Sequence, residues 1–383
     1  MAGSVSSPSH TTLVDATFPK RRAGRSYRGC MTTHPVAPRR EAAAPSVRPA
    51  PEHARPRPRL RGVDVLRGLA VVGMLFVDNR GNGAISAQLR HAAWNGLHVA
   101  DVVFPIFLLV VGVSVPFSRR ADRPRAALTR VVKLAVLGWL IVTAKYGFGT
   151  AGAGVLGHIA GAYLLCWLLL RLPRPAQVVT AAGVLAALSV LTVAGGAEPD
   201  RSWAHTADAA LGLPFSAEAP HGYLASAVTV FLGVLAGRAL QSGTGAATLV
   251  RLTAGGAALL AAGLALAPVV PLNKRLWSPS FVLVTGGIAL LALALLHWLV
   301  DERGVVRPFR PFEVLGLNAI VAFVFSEVMF RAVLSHTVQP AVDGWVSSVA
   351  GAVVSAWLYP VLSVAVIWAV CAALMRREVI VRI

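Results

Sequence analysis

Apolar runs alternate with short polar breaks along the chain from residue 59 onward. A helix that crosses a membrane needs about 20 mostly apolar residues, and the runs approach or reach that length. They lie near residues 61–79, 99–118, 127–145, 153–171, 176–195, 222–241, 248–270, 279–300, 313–334 and 350–374. The breaks contain the proline, glycine or charged residues that end helices. The pattern predicts an all-α integral membrane protein with about ten transmembrane helices in one bundle.

The first 58 residues differ from the rest in composition. They are rich in Pro, Ala, Ser and Arg, and they lack the apolar core of a signal peptide. We therefore expect residues 1–58 to form a disordered basic tail. Residues 59–383 are expected to form one multi-pass transmembrane domain.

The distribution of charged residues predicts the orientation of the protein in the membrane. Charged residues make up 14% of the chain, against about 25% in a soluble domain. The formal charge of +19 does not indicate nucleic acid, because 12 of the 36 Lys and Arg residues precede residue 62 and most others flank apolar runs. With the tail in the cytoplasm, the cytoplasmic segments hold sixteen of the remaining basic residues and the outer segments seven. The positive-inside rule then predicts a cell-membrane protein with both termini cytoplasmic and residues 80–98 outside.

The three cysteines give no sign of a disulfide or a metal site. Cys30 lies in the tail, whereas Cys166 and Cys371 lie in predicted spans without ligand spacing. Membrane lipid is the expected surrounding. Because Gly- and Ala-rich spans pack within one chain as readily as between copies, a homo-oligomer is one of two arrangements that the spans allow.

Ionisable residues inside spans are functional candidates by default. Asp64 and Arg67 are three residues apart in the first span, which suits an ion pair with either a functional or a purely structural role. Asp78 and Asn79 end that span before a glycine-rich turn. This turn either lets the backbone approach a ligand or simply stops the helix.

The stretch LRHAAWNGLHVADVVFP, residues 89–105, places polar residues at the edge of the second span. A neutral imidazole such as that of His91 can take a proton from an attacking amine, or can attack an acyl group itself. A nearby Asp78 would fix its tautomer. The alternative is an ordinary surface histidine. The seven-residue separation of His91 from His98 does not suit a zinc pair, so we expect no metal.

Other polar or aromatic residues are candidates for contacting a substrate. They are Trp94, Asn95, Asp101, Asn273, Lys274, Asn318 and Glu327. For three of them, a structural role without substrate contact is the alternative. Trp94 suits an interfacial aromatic belt, Asp101 suits a helix cap, and Lys274 suits a surface cation extended toward water.

Six segments in order resemble the catalytic domain of the heparan-α-glucosaminide N-acetyltransferase family. They are RLRGVDVLRGLAVVGMLFVDN, LRHAAWNGLHVADVVFPIFLLVVGVSV, GVLGHIAGAYLL, PHGYLASAVTVFLGVLAGR, PLNKRLWSPSFVLVTGG and GLNAIVAFVFSEV. The resemblance covers about residues 59–375. Its specific parts are the block from His91 to Pro105 and the block around Lys274, since apolar spans alone match many families.

The resemblance implies an acyltransferase that moves acetyl from cytosolic acetyl-CoA to an amino sugar or related glycan on the far side. The family's essential histidine falls on His91, and its important asparagine falls on Asp78 with Asn79 adjacent. Arg67 and His158 are the candidates for binding CoA, although His158 stands where the family usually has arginine. The alanine- and arginine-rich composition is typical of a bacterial member.

Two other classes of function compete with this interpretation. In a transporter, Asp64, Arg67, Asp101 and Glu327 would line a permeation path, but the sequence shows no evident inverted repeat. In a scaffold or sensor, His91 would be replaceable. Within the acyltransferase interpretation, His91 is either a general base or a transient acyl carrier.

Overall fold

The protein is described from a computed structural model over residues 60–118, 123–148, 152–199, 201–243 and 245–381. The predicted tail, with Cys30, lies outside these residues. The described part consists of helices and connecting segments without a β-strand, which confirms the predicted all-α class. The helices are α1 (Arg61–Asp78), α2 (Val99–Ser114), α3 (Pro124–Tyr146), α4 (Gly154–Leu169), α5 (Arg174–Ala194), α6 (Trp203–Ala210), α7 (Tyr223–Gln241), α8 (Ala246–Leu266), α9 (Pro279–Leu296), α10 (Arg310–Leu317), α11 (Ala319–Phe325), α12 (Ser335–Ala350) and α13 (Ala352–Arg376).

Seven helical segments in the described part are long and apolar enough to cross a membrane. They are Pro124–Tyr146, Arg174–Ala194, Pro220–Gln241, Ala246–Leu266, Pro279–Glu302, Ala319–Ala350 and Ala352–Arg376. Three predicted spans fall short of that standard. Helices α2 and α4 have 16 residues each, and α1 contains four charged residues in its 18. The count of ten therefore stays a prediction.

The ninth predicted span ends later than expected. Asn318 interrupts the helix, which resumes at Ala319 and continues through a π-helical segment, Ser326–Leu334, to Ala350. Its polar second half is held by hydrogen bonds, from Gln339 to the carbonyl of Arg80 and from Ser355 to Asp343. The hydropathy pattern predicted that this span ends near residue 334, because hydropathy contains no information on hydrogen bonds between residues distant in sequence.

Glycines allow two helix pairs to approach at backbone distance. A Cβ on Gly233 of α7 would collide with the Leu109 carbonyl of α2, and one on Gly112 with the Val230 carbonyl. Gly68 of α1 and Gly316 of α10 face each other in the same way. Close contact through small residues is how helices pack without a hydrophobic driving force between them. These contacts set α1, α2 and α7 at the centre of the bundle.

Successive spans run in opposite directions and give the bundle two ends, which we name the Arg61 end and the Asp78 end after the limits of α1. At the Arg61 end, Arg67 donates to the hydroxyl of Ser114 at the end of α2. At the Asp78 end, Lys145 near the end of α3 donates to Glu327. Along α1, Arg67 and Asp78 are separated by about 16 Å.

Candidate active site

The segment between α1 and α2 is fixed to the segment between α8 and α9. Gly96 donates its N–H to the carbonyl of Leu272 at 2.8 Å, and it does so with φ of 126°, a value suited to glycine. Next to it, Asn273 Nδ2 donates to Asn95 Oδ1 at 2.9 Å. Two sequence-predicted blocks that are 178 residues apart thus form one surface at the Asp78 end.

His91 and Asp101 form a hydrogen-bonded pair on this surface. His91 Nδ1 lies 2.8 Å from Asp101 Oδ1. The imidazole is 40% exposed and the carboxylate only 1% exposed. Asp101 Oδ2 accepts the backbone N–H groups of Ala92 and His98, at 3.1 and 3.0 Å. Because three donors hold the carboxylate in place, it fixes the orientation of the ring through Nδ1 and leaves Nε2 outside this contact.

The sequence had suggested that Asp78 would orient His91, but the residue that does so is Asp101. The spacing of ten residues between His91 and Asp101 gave no periodic signal, since the intervening segment is not a helix. Asp101 therefore serves both alternatives considered from the sequence. It caps the start of α2 through the His98 N–H, and it binds a polar partner in the candidate site.

Lys274 is the third member of a cluster with His91 and Asp101. Its Nζ lies 3.2 Å from both ring nitrogens of His91. Burial lowers the pKa of the Lys274 ammonium, and the carboxylates of Glu218, Asp101 and Asp78 partly oppose this effect. An amine with a lowered pKa beside an oriented imidazole is a combination found where acid–base chemistry takes place.

The Lys274 segment is held from a second direction by residues that the sequence did not single out. His221 Nδ1 lies 2.7 Å from Asp208 Oδ2, and its Nε2 lies 2.7 Å from the carbonyl of Arg275. Both side chains are fully buried. Both ring nitrogens lie within hydrogen-bond distance of acceptor oxygens. The sequence signal was weak, because residues 196–221 contain four acidic residues and two histidines with no spacing that pairs Asp208 with His221.

Trp277 anchors the end of this segment with a strained backbone. Its φ is 50°, in the left-handed region that bulky residues rarely adopt. Its indole donates to the carbonyl of Ala217 at 2.7 Å and stacks on His158, with ring centroids 4.9 Å apart. The strain persists because these contacts fix the side chain.

His158 is buried in this aromatic layer. Its ring contacts Phe104, Tyr223 and Trp277 and bonds to the hydroxyl of Ser226. Arg67, the other residue predicted to bind CoA, lies at the Arg61 end, where it pairs with Asp64 at 2.9 Å and bonds to Ser114. The structure therefore does not bring the two predicted cofactor residues together.

Trp94 gives the surface beside His91 an aromatic side. Its indole N–H donates to the carbonyl of Ala197 at 2.6 Å, and its ring centroid lies 5.9 Å from that of Phe215. The guanidinium of Arg275 lies 6.0 Å from the Trp94 ring centroid. Trp94 is thus packed between protein segments rather than only facing lipid.

A second charged cluster lies at the same end. Glu327 accepts hydrogen bonds from Lys145 and Arg331, both at 2.7 Å, and Arg331 lies 3.4 Å from Asp78. Asn79 is buried and donates to Ser326 at 2.8 Å. The sequence candidates Asp78, Asn79 and Glu327 therefore belong to this cluster, which interacts with the His91 site through the charges of Asp78 and Lys274.

Asn318 lies away from both clusters. It is buried at the Arg61 end, where its side-chain oxygen Oδ1 accepts a hydrogen bond from the backbone N–H of Val381 at 3.0 Å. The structure separates it from the other predicted substrate contacts. Across the described residues, no three His, Cys, Asp or Glu side chains converge as a metal site would require.

Comparisons with known proteins relate the sequence to a family. The model of the family described as "Heparan-alpha-glucosaminide N-acetyltransferase, catalytic" matches residues 59–242, a range that includes His91 and Asp101. The heparan-alpha-glucosaminide N-acetyltransferase of Homo sapiens is 28% identical over 354 residues, covering 71% of this chain and 53% of the relative. The protein of the same name from Mus musculus is 27% identical over 354 residues, covering 71% of this chain and 54% of the relative. The resemblance stated from the sequence is confirmed, and the chain spans about half the length of these relatives.

Proposed function

We propose that this chain, a member of the heparan-alpha-glucosaminide N-acetyltransferase family by the match over residues 59–242, is a membrane acetyltransferase. In this proposal, acetyl-CoA is the donor and an amino sugar or related glycan is the acceptor. The observation that carries the proposal is the 2.8 Å hydrogen bond between His91 Nδ1 and the buried carboxylate of Asp101.

His91 acts through Nε2 in either of two routes. As a general base, it takes a proton from the acceptor amine while the amine nitrogen attacks the thioester carbonyl and the C–S bond breaks. As an acyl carrier, Nε2 attacks the thioester first, and the amine then displaces the imidazole. Asp101 stabilises the positive charge that develops on the ring in both routes. Each route releases one CoA thiol for each amide formed.

The donor is proposed to approach from the Arg61 end. Basic residues gather near that end: Arg303 and Arg307 follow α9, and Arg376 ends α13. Guanidinium groups suit the phosphates of CoA. If this end is cytoplasmic, as the positive-inside rule predicts, the thioester of bound acetyl-CoA extends along the bundle to His91. Asp78, Asn79 and Glu327 are proposed to shape the acceptor side.

A transporter is the weaker alternative. Its four candidate charges divide between the two ends, with Asp64 and Arg67 at one and Asp101 and Glu327 at the other. All four already bind protein partners at 2.7 to 2.9 Å. This pairing favours fixed sites over a continuous charged path.

An assay of CoA release tests the proposal. Purified full-length protein is given acetyl-CoA and glucosamine, and the wild type is compared with His91→Ala and with His336→Ala. His336 is an exposed histidine of α12 and serves as the matched control. We expect acceptor-dependent release in the wild type and the control, with a loss of about 10²-fold or more in His91→Ala. Equal release in all three, or none in any, would overturn the proposal.

A further inference from the structure

Lys274 lies beside the position that an acceptor amine would need. Its Nζ lies 3.2 Å from His91 Nε2, the atom that either accepts the proton of the amine or carries the acetyl group. Nζ is equally far from His91 Nδ1, so it lies over the ring, and a rotation of the lysine side chain brings the amine to an acetyl carbonyl placed at Nε2. The protein thus holds an amine of its own at the site of transfer.

We propose that Lys274 is itself an acetyl acceptor, so that the centre acetylates its own lysine when no external amine is present. This inference rests on the proposed function. The Lys274 amine attacks the acetyl carbonyl, a C–N bond forms, and the bond from that carbonyl to sulfur or to His91 Nε2 breaks. Starting from the ammonium, the products are an amide on Lys274, a CoA thiol and one proton released to water.

The surroundings of Lys274 favour this reaction over the same reaction at the other lysines. The sequence contains four lysines, Lys20, Lys133, Lys145 and Lys274. Lys133 is exposed on α3, and Lys145 is paired with Glu327 at 2.7 Å. Lys20 lies outside the described residues. Only Lys274, among the three described, has an amine beside an imidazole, and burial lowers its pKa toward the reactive neutral form.

Acetylation of Lys274 would switch the centre off. The amide carries no charge, and its added acetyl group would fill the space beside His91 Nε2 that an incoming amine requires. An acceptor amine competes with Lys274 for the same acetyl group. Self-acetylation therefore makes activity depend on acceptor supply, because the protein would inactivate itself when the donor is present without an acceptor.

The test is mass spectrometry of full-length protein incubated with isotopically labelled acetyl-CoA and no acceptor. We expect label on Lys274 to accumulate well above that on Lys133, and to fall when glucosamine is added. In His91→Ala, label on Lys274 should drop to the Lys133 level. Treatment with hydroxylamine removes an acetyl group from imidazole but leaves the lysine amide, so the surviving label identifies Lys274.

Two negative results have different meanings. If glucosamine is acetylated by the wild type but label on Lys274 never exceeds that on Lys133, the self-acetylation inference is wrong and the proposed function stands. If label on Lys274 is undiminished in His91→Ala, the inference is wrong in the same way. If neither glucosamine nor Lys274 is acetylated, the proposed function fails and the inference fails with it.

Discussion

His91 differs from the other described histidines in combining an exposed ring with a buried carboxylate partner. His221 has an equally close partner in Asp208, but its ring is fully buried and both nitrogens face protein acceptors. His158 is buried among aromatic rings. Among these three, only His91 combines a ring oriented by a carboxylate with a partly exposed side chain, which is the requirement for proton transfer to a bound molecule.

The Asp101→Asn variant tests whether the carboxylate orients and stabilises His91. An amide can still accept one hydrogen bond, but it supplies no charge to stabilise a protonated ring. We expect kcat to fall by about 10-fold or more with a smaller change in KM. Asp343→Asn, on α12, is the matched control. A kcat equal to that of the control would show that Asp101 is only a helix cap.

The pH dependence of Lys274 acetylation follows from its lowered pKa. The groups that face the amine are His91, Glu218, Asp101, Asp78 and Arg275. A lowered pKa means that the neutral amine appears at lower pH than in an ordinary lysine, whose pKa is about 10.4. Labelling of Lys274 should therefore rise with pH and level off earlier than labelling of exposed Lys133. Parallel profiles for the two lysines would contradict this expectation.

At the scale of helices and segments, the apolar runs were predictable and the long-range contacts were not. Helices α3, α5 and α8 follow long, mostly apolar runs, so their spans were found from the sequence. Helix α6 and the π-helical segments were missed, because short or irregular turns leave no periodic signal. The candidate residues His91, Asp101 and Lys274 were each noticed, but their meeting depends on Asn95, Asn273 and Gly96, which join segments far apart in sequence.

The Asp208–His221 pair is predicted to hold the Lys274 segment in place. Removing one partner of a buried hydrogen bond leaves the other polar group unsatisfied, which costs about 1–3 kcal/mol. We therefore expect Asp208→Ala to lower the melting temperature and also to raise KM for the acceptor, because Arg275 loses its fixed contact. Glu198→Ala, an exposed acidic position in the same loop, is the control. A change in stability without any change in KM would limit the pair to a structural role.

The contact between α2 and α7 is predicted to be intolerant of even one added methyl group. In Gly233→Ala the new Cβ would strike the Leu109 backbone, and overpacking of this kind costs about 1–3 kcal/mol. In Gly183→Ala on α5 the new Cβ meets open space, and alanine is the better helix former by about 1 kcal/mol. Thermal unfolding in detergent should show a lower melting temperature than the wild type for Gly233→Ala. For Gly183→Ala the melting temperature should not fall below that of the wild type. Equal melting temperatures would rule out close α2–α7 packing.

For the whole molecule, the two ends of the bundle have different chemistry. The Asp78 end holds the paired imidazole, Lys274, the ring of Trp94 and the charged cluster around Glu327. At the Arg61 end, Arg303 and Arg307 follow α9 and Arg376 ends α13. A soluble enzyme places donor and acceptor in one cleft. In the function proposed above, donor and acceptor meet along the bundle from opposite sides of a membrane, and the Arg61 end is the cytoplasmic one that the positive-inside rule predicts.

Acetyl transfer across a sealed vesicle tests this account most directly. Full-length protein is placed in liposomes that contain glucosamine, and radiolabelled acetyl-CoA is added only outside. The wild type is predicted to form acetylated glucosamine inside the vesicles, and His91→Ala is predicted to form none above protein-free vesicles. Undiminished formation in His91→Ala, or no formation by the wild type with donor on either side, would contradict the account.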